Sequence, residues 1–123
     1  MPRINQAAET MLNNVILPFW MKLKDEEHGG YYGLVDFALH VDKTAEKGCI
    51  LNSRILWFFS EAAMLTGRAD LAACARHAYE WVEAHCFDQA NGGGYWSCDY
   101  TGRPLDTTKH TYNQAFAIYA LSA

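Results

Sequence analysis

The stretch C-I-L-N-S-R-I-L-W-F-F-S-E-A-A-M-L, residues 49–65, reads as a helix that is apolar on nearly every side. A helix without a wet face has to be covered by neighbouring elements all round, so it sets the inner layer of whatever fold forms. One strong charge, Arg54, stands in its early turns among apolar neighbours. The N-terminal part of a helix carries partial positive charge, so a cation there is mildly unfavourable. Either a carboxylate elsewhere pairs with Arg54, with Asp36, Asp42 and Asp106 as candidates, or the guanidinium faces a dry pocket that receives an electron-rich ligand.

Working outward, Thr66-Gly67 is a helix stop, and an amphipathic helix follows over about residues 69–86. Leu71, Ala75, Ala78 and Val82 form its apolar stripe, while Asp70, Arg76, Glu80 and Glu83 face water. Upstream, residues 5–24 carry apolar side chains at three- and four-residue steps and read as a helix, kinked or divided at Pro18. Between these helices, Tyr31 to Val35 and Phe37 to Val41 read as a hairpin turning near Asp36, and residues 42–48 as a polar connection. A second hairpin is expected from Tyr95 to Leu105, turning at Thr101-Gly102. Residues 110–123 contain no Asp, Glu, Lys or Arg and read as a second helix buried on most sides.

Two blocks therefore share one order: acidic or amide loop, glycines, aromatic hairpin, polar link, buried helix. Gly29-Gly30-Tyr31-Tyr32 matches Gly93-Gly94-Tyr95-Trp96 at an offset of 64, and Arg54 falls opposite Gln114 at an offset of 60. Repeats of this kind bury their inner helices only against further repeats, and a ring of six helix pairs at this period needs about 360–400 residues. Residues 1–123 are accordingly read as the N-terminal portion of a longer protein, interrupted inside a helix.

Half of the residues are hydrophobic and the net charge is −4, which suits a soluble globular chain and argues against a nucleic-acid partner. The apolar run Val15 to Met21 is too short to span a bilayer, and the first residues lack the apolar core of an export signal. A cytoplasmic protein is expected, with no membrane partner. Cys49, Cys74, Cys86 and Cys98 form no C-x-x-C pair and read as reduced, buried side chains, and no metal site is expected. Asp25-Glu26-Glu27 reads as a solvated loop. At the start of the second inner helix, K-H-T-Y-N-Q-A-F offers Tyr112 and Gln114 at the level of Arg54, with His110 just before them. Inner-helix starts converging on one cavity would put Tyr112 and Gln114 near Arg54, while His110 reads first as a polar residue at the helix N-terminus. Trp20, Trp57, Trp96 and Tyr112 are flat faces on which a sugar ring could stack.

Three stretches then carry a resemblance: I-L-P-F-W-M-K-L-K-D-E-E-H-G-G-Y-Y-G (16–33), G-C-I-L-N-S-R-I-L-W-F-F-S (48–60) and D-T-T-K-H-T-Y-N-Q-A-F-A-I-Y-A-L (106–121). They resemble the cellobiose 2-epimerases of the N-acylglucosamine 2-epimerase superfamily, over roughly the first third of such a protein. The resemblance implies an all-α fold, part of an (α/α)6 barrel, a helical toroid with short β-hairpins between helices. It implies an isomerase that inverts C2 of the reducing-end glucose of cellobiose and related β-1,4 disaccharides, through ring opening and a cis-enediolate, without cofactor or metal. Arg54 would stabilise the enediolate oxygens and Tyr112 would contact the sugar, with His110, Gln114 and Trp57 as further substrate-binding candidates. The histidines that move the proton would lie beyond Ala123, so the isolated chain is expected to be inactive, with the remaining repeats of the barrel as its partners. Two other readings stay open: an N-acylglucosamine 2-epimerase or mannose isomerase acting on a monosaccharide, and a non-catalytic sugar-binding helical repeat.

Overall fold

The computed structural model describes residues 2–123, with side chains from residue 4 onward. The first helical stretch runs as α1 (Pro2–Met11), a π-helical turn (Leu12–Ile16) and α2 (Leu17–Met21). Pro18 neither breaks nor divides it. The backbone stays right-handed helical at both junctions, Met11 and Leu17, and the Leu17 N–H donates five residues back to the Leu12 carbonyl. A proline in a helix removes one N–H and crowds the preceding turn. Widening that turn to π geometry makes room for the ring while the helix continues.

Helix α3 (Cys49–Thr66) contains the stretch that sets the inner layer. It is closed by Gly67 in the left-handed region (φ 69°), whose N–H returns to the Ala63 carbonyl. Arg68 then leads straight into α4 (Ala69–His85), and this short link folds α4 back along α3. Of the expected stripe of α4, Leu71, Ala75, Ala78 and Val82 are all buried, joined by Cys74 and Trp81. Helix α5 (Thr111–Leu121) packs on the other flank of α3. The main core lies between α2, α3 and α4, around Leu17, Tyr31, Phe59 and Leu71. Helix α5 departs from expectation. It buries Asn113, Ala117 and Ala120 but exposes Tyr112, Ile118, Tyr119 and Leu121, because within this chain it has α3 on one side only.

The hairpins are shorter than the sequence suggests. Strands β1 (Leu34–Val35) and β2 (Val41–Asp42) pair antiparallel around a turn at residues 36–40. The expected polar link hides a further strand, β3 (Lys47–Gly48). It pairs with β4 (Ser97–Cys98), which pairs with β5 (Pro104–Asp106), so a three-stranded sheet joins the two repeats. Two-residue strands leave no alternation in the sequence to detect.

The repeat itself is real but its register differs. Gly29 and Gly30 take φ of 77° and 66°, and Gly92 and Gly93 take 74° and 80°, so the loops align at an offset of 63 rather than 64. Asp25 N–H donates to the Gly30 carbonyl at 2.9 Å and Asp88 N–H to the Gly93 carbonyl at 2.9 Å. Asp25 Oδ1 accepts from the next backbone N–H groups, Glu27 and His28, as Asp88 Oδ1 does from Ala90 and Asn91. Each aspartate also takes a lysine ammonium at 2.6 Å, Lys47 on Asp25 and Lys109 on Asp88. The Asp25 pair is fully buried, contrary to the solvated loop expected; only Glu26 and Glu27 are exposed.

An amide on each inner helix ties down its own loop. Asn52 Oδ1 accepts the Tyr31 N–H at 2.9 Å while its Nδ2 donates to the Gly48 carbonyl. Gln114 Oε1 accepts the Gly94 N–H at 2.7 Å while its Nε2 donates to the carbonyls of Gly94 and His110. The counterpart of Gln114 is thus Asn52, not Arg54. Asn52 is completely buried. Replacing it with Ala leaves the Tyr31 N–H without an acceptor inside the core and is expected to cost about 1–3 kcal/mol. A urea unfolding midpoint unchanged from wild type in the full-length protein would refute that.

Candidate functional site

A cleft of about 590 Å³ opens between α2, α3 and α5. Trp20 comes from α2, Arg54, Trp57 and Phe58 from α3, and Phe116 and Tyr119 from α5. Its walls are mostly aromatic, and among the described residues Arg54 is their one charged side chain. With the inner helices starting at Cys49 and Thr111, equivalent positions lie 62 residues apart. On that register Arg54 faces Phe116 and Trp57 faces Tyr119. Both pairs touch: the Arg54 guanidinium carbon sits 5.6 Å from the Phe116 ring centroid, and the Trp57 and Tyr119 rings stack at 5.3 Å, 25° apart.

The carboxylates that could have neutralised Arg54 are spent elsewhere. Asp36 pairs with His40 at 3.2 Å. Asp42 accepts the Thr44 N–H and hydroxyl, and Asp106 accepts the Thr108 N–H. Among the described residues Arg54 makes no ion pair and no side-chain hydrogen bond. The dry surroundings expected from its apolar neighbours are absent in this chain, where one side of the cleft is open and Arg54 is exposed.

The other expected site residues divide. Trp57 lines the cleft. Tyr112 lies one turn before Phe116 and meets its ring edge-on, 4.9 Å between centroids, with much of its surface exposed. Gln114 does not reach the cleft, because both ends of its carboxamide hold the Gly94 loop and the backbone of α5. His110 caps α5 with its backbone and packs its ring against Trp96 at 4.8 Å. Sequence reasoning missed Phe116 and Tyr119 as walls of the site, whereas Trp20, expected as a stacking face, does line it. The signal was available in the repeat, since an inner helix that puts Arg54 and Trp57 on a cleft puts their counterparts there too.

None of the five histidines lines the cleft. His28 lies against Tyr100, His77 bonds the Gly30 carbonyl at 2.9 Å, and His85 packs on Trp81. The Cys86 hydrogen bond raises the Cys49 thiol and the Cys49 hydrogen bond raises the Cys98 thiol, each reinforced by burial, so neither is a nucleophile at neutral pH. All four cysteines are free and buried. Among the described residues no three His, Cys, Asp or Glu side chains converge as metal ligands, and no helix is long and apolar enough to cross a membrane.

Helices α2, α3 and α5 thus frame an aromatic cleft that carries an arginine with no carboxylate partner among the described residues. The sequence profile of the N-acylglucosamine 2-epimerase (GlcNAc 2-epimerase) family matches residues 29–123, and the chain belongs to that family. Within it the chain is 55% identical over 119 residues to a cellobiose 2-epimerase of Eubacterium cellulosolvens, covering 97% of this chain and 29% of that protein. The solved cellobiose 2-epimerase of Bacillus thermoamylovorans B4167 superposes with a TM-score of 0.97 at 47% identity, over 99% of this chain and 31% of that one. A crystal structure of a sugar epimerase from a ruminal bacterium superposes at 0.93 with 52% identity, over 95% of this chain and 30% of its own length. The helix pairs described above are therefore part of an (α/α)6 barrel, and the chain spans about 30% of the length of the relatives it matches.

Proposed function

We propose that this chain supplies the first helix pairs of a sugar epimerase that inverts C2 of the reducing-end glucose of cellobiose and related β-1,4 disaccharides. The observation that carries this reading is Arg54: a guanidinium without a carboxylate, on an aromatic wall, in a chain 55% identical to a cellobiose 2-epimerase. Once the sugar ring opens, removing the C2 proton leaves a cis-enediolate whose negative charge is shared between the oxygens on C1 and C2. Donors fixed where charge develops lower the barrier most. A guanidinium presents its N–H groups as a flat fork, which suits two oxygens on adjacent carbons. Tyr112, in edge contact with the Phe116 ring, is assigned to contact the same sugar, and Trp57 to pack against it. The proton itself is moved by groups outside residues 1–123, and this chain alone is inactive.

The full-length protein, incubated with cellobiose in deuterium oxide, is expected to place solvent deuterium at C2 of both the glucose and the mannose epimer. Turnover without label at C2 would overturn the proton-transfer mechanism. Replacing cellobiose by mannose or N-acetylglucosamine separates the disaccharide reading from a monosaccharide isomerase: slower turnover is expected on both. A full-length protein that binds cellobiose and turns over none of the three would make it a binding module.

A further inference from the structure

The pairing of Arg54 with an aromatic ring, and with no carboxylate, has a chemical consequence. A carboxylate would fix the guanidinium by occupying its N–H donors and neutralising its charge. An aromatic face attracts a cation through its quadrupole and takes none of the donors. Phe116 is the ring in question, 5.6 Å below the guanidinium carbon. It is half-buried, carried on a helix anchored by the buried Asn113, Ala117 and Ala120, and braced on another side by the edge contact with Tyr112. Arg54 and Tyr112, the two groups assigned to the substrate, thus both contact the Phe116 ring.

We propose that Phe116 is a positioning residue: its ring face holds the Arg54 guanidinium at the cleft while leaving both charge and hydrogen-bond donors free for the enediolate oxygens. This rests on the reading of Arg54 given above. A cation–π contact of this kind corresponds to roughly a 3- to 30-fold effect on the rate of a step that needs the cation in place.

The test is a double-mutant cycle in the full-length enzyme with cellobiose. Phe116→Leu is expected to lower kcat by about 3- to 30-fold with a smaller change in KM, and Phe116→Tyr, which keeps the ring, to stay within about twofold of wild type. In an Arg54→Ala background, Phe116→Leu is expected to change kcat by less than about twofold, since the residue it positions is gone. The same loss in both backgrounds would show a packing role only and overturn the proposal, as would a Phe116→Tyr variant as slow as Phe116→Leu. A direct readout separates this proposal from the assignment of Arg54. The side-chain proton resonances of Arg54 should be displaced by the ring current of Phe116 and revert in Phe116→Leu. Resonances that are undisplaced in wild type overturn the positioning whatever the kinetics of Arg54→Ala. Displaced resonances with an Arg54→Ala enzyme of normal kcat would leave the contact standing and overturn both the catalytic role of Arg54 and the catalytic purpose of Phe116.

Discussion

Arg54→Ala in the full-length enzyme is expected to lower kcat on cellobiose by about 10²–10³, the loss seen when one well-placed oxyanion donor is removed. KM should change far less. In the proposed reaction the sugar is neutral, so the guanidinium would have little charge to meet until the C2 proton has left. An interaction made only in the transition state lowers kcat and kcat/KM together. Arg54→Lys keeps the cation but loses the planar fork, and should recover only part of the rate. Because no carboxylate holds Arg54, removing it strands no buried opposite charge. The variant should fold normally, and its thermal midpoint should match wild type. A variant with normal kcat and a raised KM would make Arg54 a binding group only and remove it from the chemistry.

The parts of this site that the sequence made legible are those written in local periodicity. Helices α3 and α4 could be placed because each carries a long apolar pattern ended by an interpretable signal, Gly67 for α3. Arg54 stood out because it is the exception to such a pattern. What stayed hidden depends on contacts between distant residues. Asp25 sits in an acidic run that reads as solvent-facing, and only Lys47, 22 residues on, turns it into a buried anchor. Strand β3 exists because β4 from the second repeat lies beside it. The repeat was found from its aromatics, Tyr31-Tyr32 against Tyr95-Trp96, but the register is set by backbone conformation. The left-handed glycines and the aspartate turns shift it by one residue in the loops. By the helices the offset is 62, two more than the 60 that sets Arg54 opposite Gln114, and the partner of Arg54 changes from an amide to a phenyl ring. A polar residue paired with Arg54 would have implied a hydrogen-bonded pair; the actual counterpart leaves the cation available.

Lys47→Met is expected to cost about 3–5 kcal/mol of folding stability, the usual loss when one member of a buried ion pair is removed. The Lys47 ammonium is fully buried and uses all three donors, on Asp25 Oδ2 at 2.6 Å, the Gly29 carbonyl at 2.7 Å and the Tyr100 carbonyl at 3.0 Å. It therefore joins the first loop to the second hairpin, and its loss loosens both repeats at the end of the ring from which α3 and α5 start. The loss should depend on pH. Burial pushes the Asp25 carboxyl up, but the Lys47 hydrogen bond and the N–H groups of His28 and Glu27 outweigh it and hold the group below its ordinary value of 3.8. The stability this contributes is fully present above pH 3.8 and is lost as pH falls through the depressed folded value. In Lys47→Met the largest downward influence is gone and the folded pKa of Asp25 rises. The gap between wild type and variant should therefore be widest near neutrality and narrow on acidification, as a protonated Asp25 no longer needs its partner. Asp25→Asn combined with Lys47→Met removes the stranded charge while keeping an acceptor for the two backbone N–H groups, and should regain part of the lost stability. Urea unfolding of the full-length protein at neutral and acidic pH measures all of this. A gap that stays constant with pH, or a double variant less stable than Lys47→Met, would mean that packing of the lysine stem and not the ion pair holds the loop.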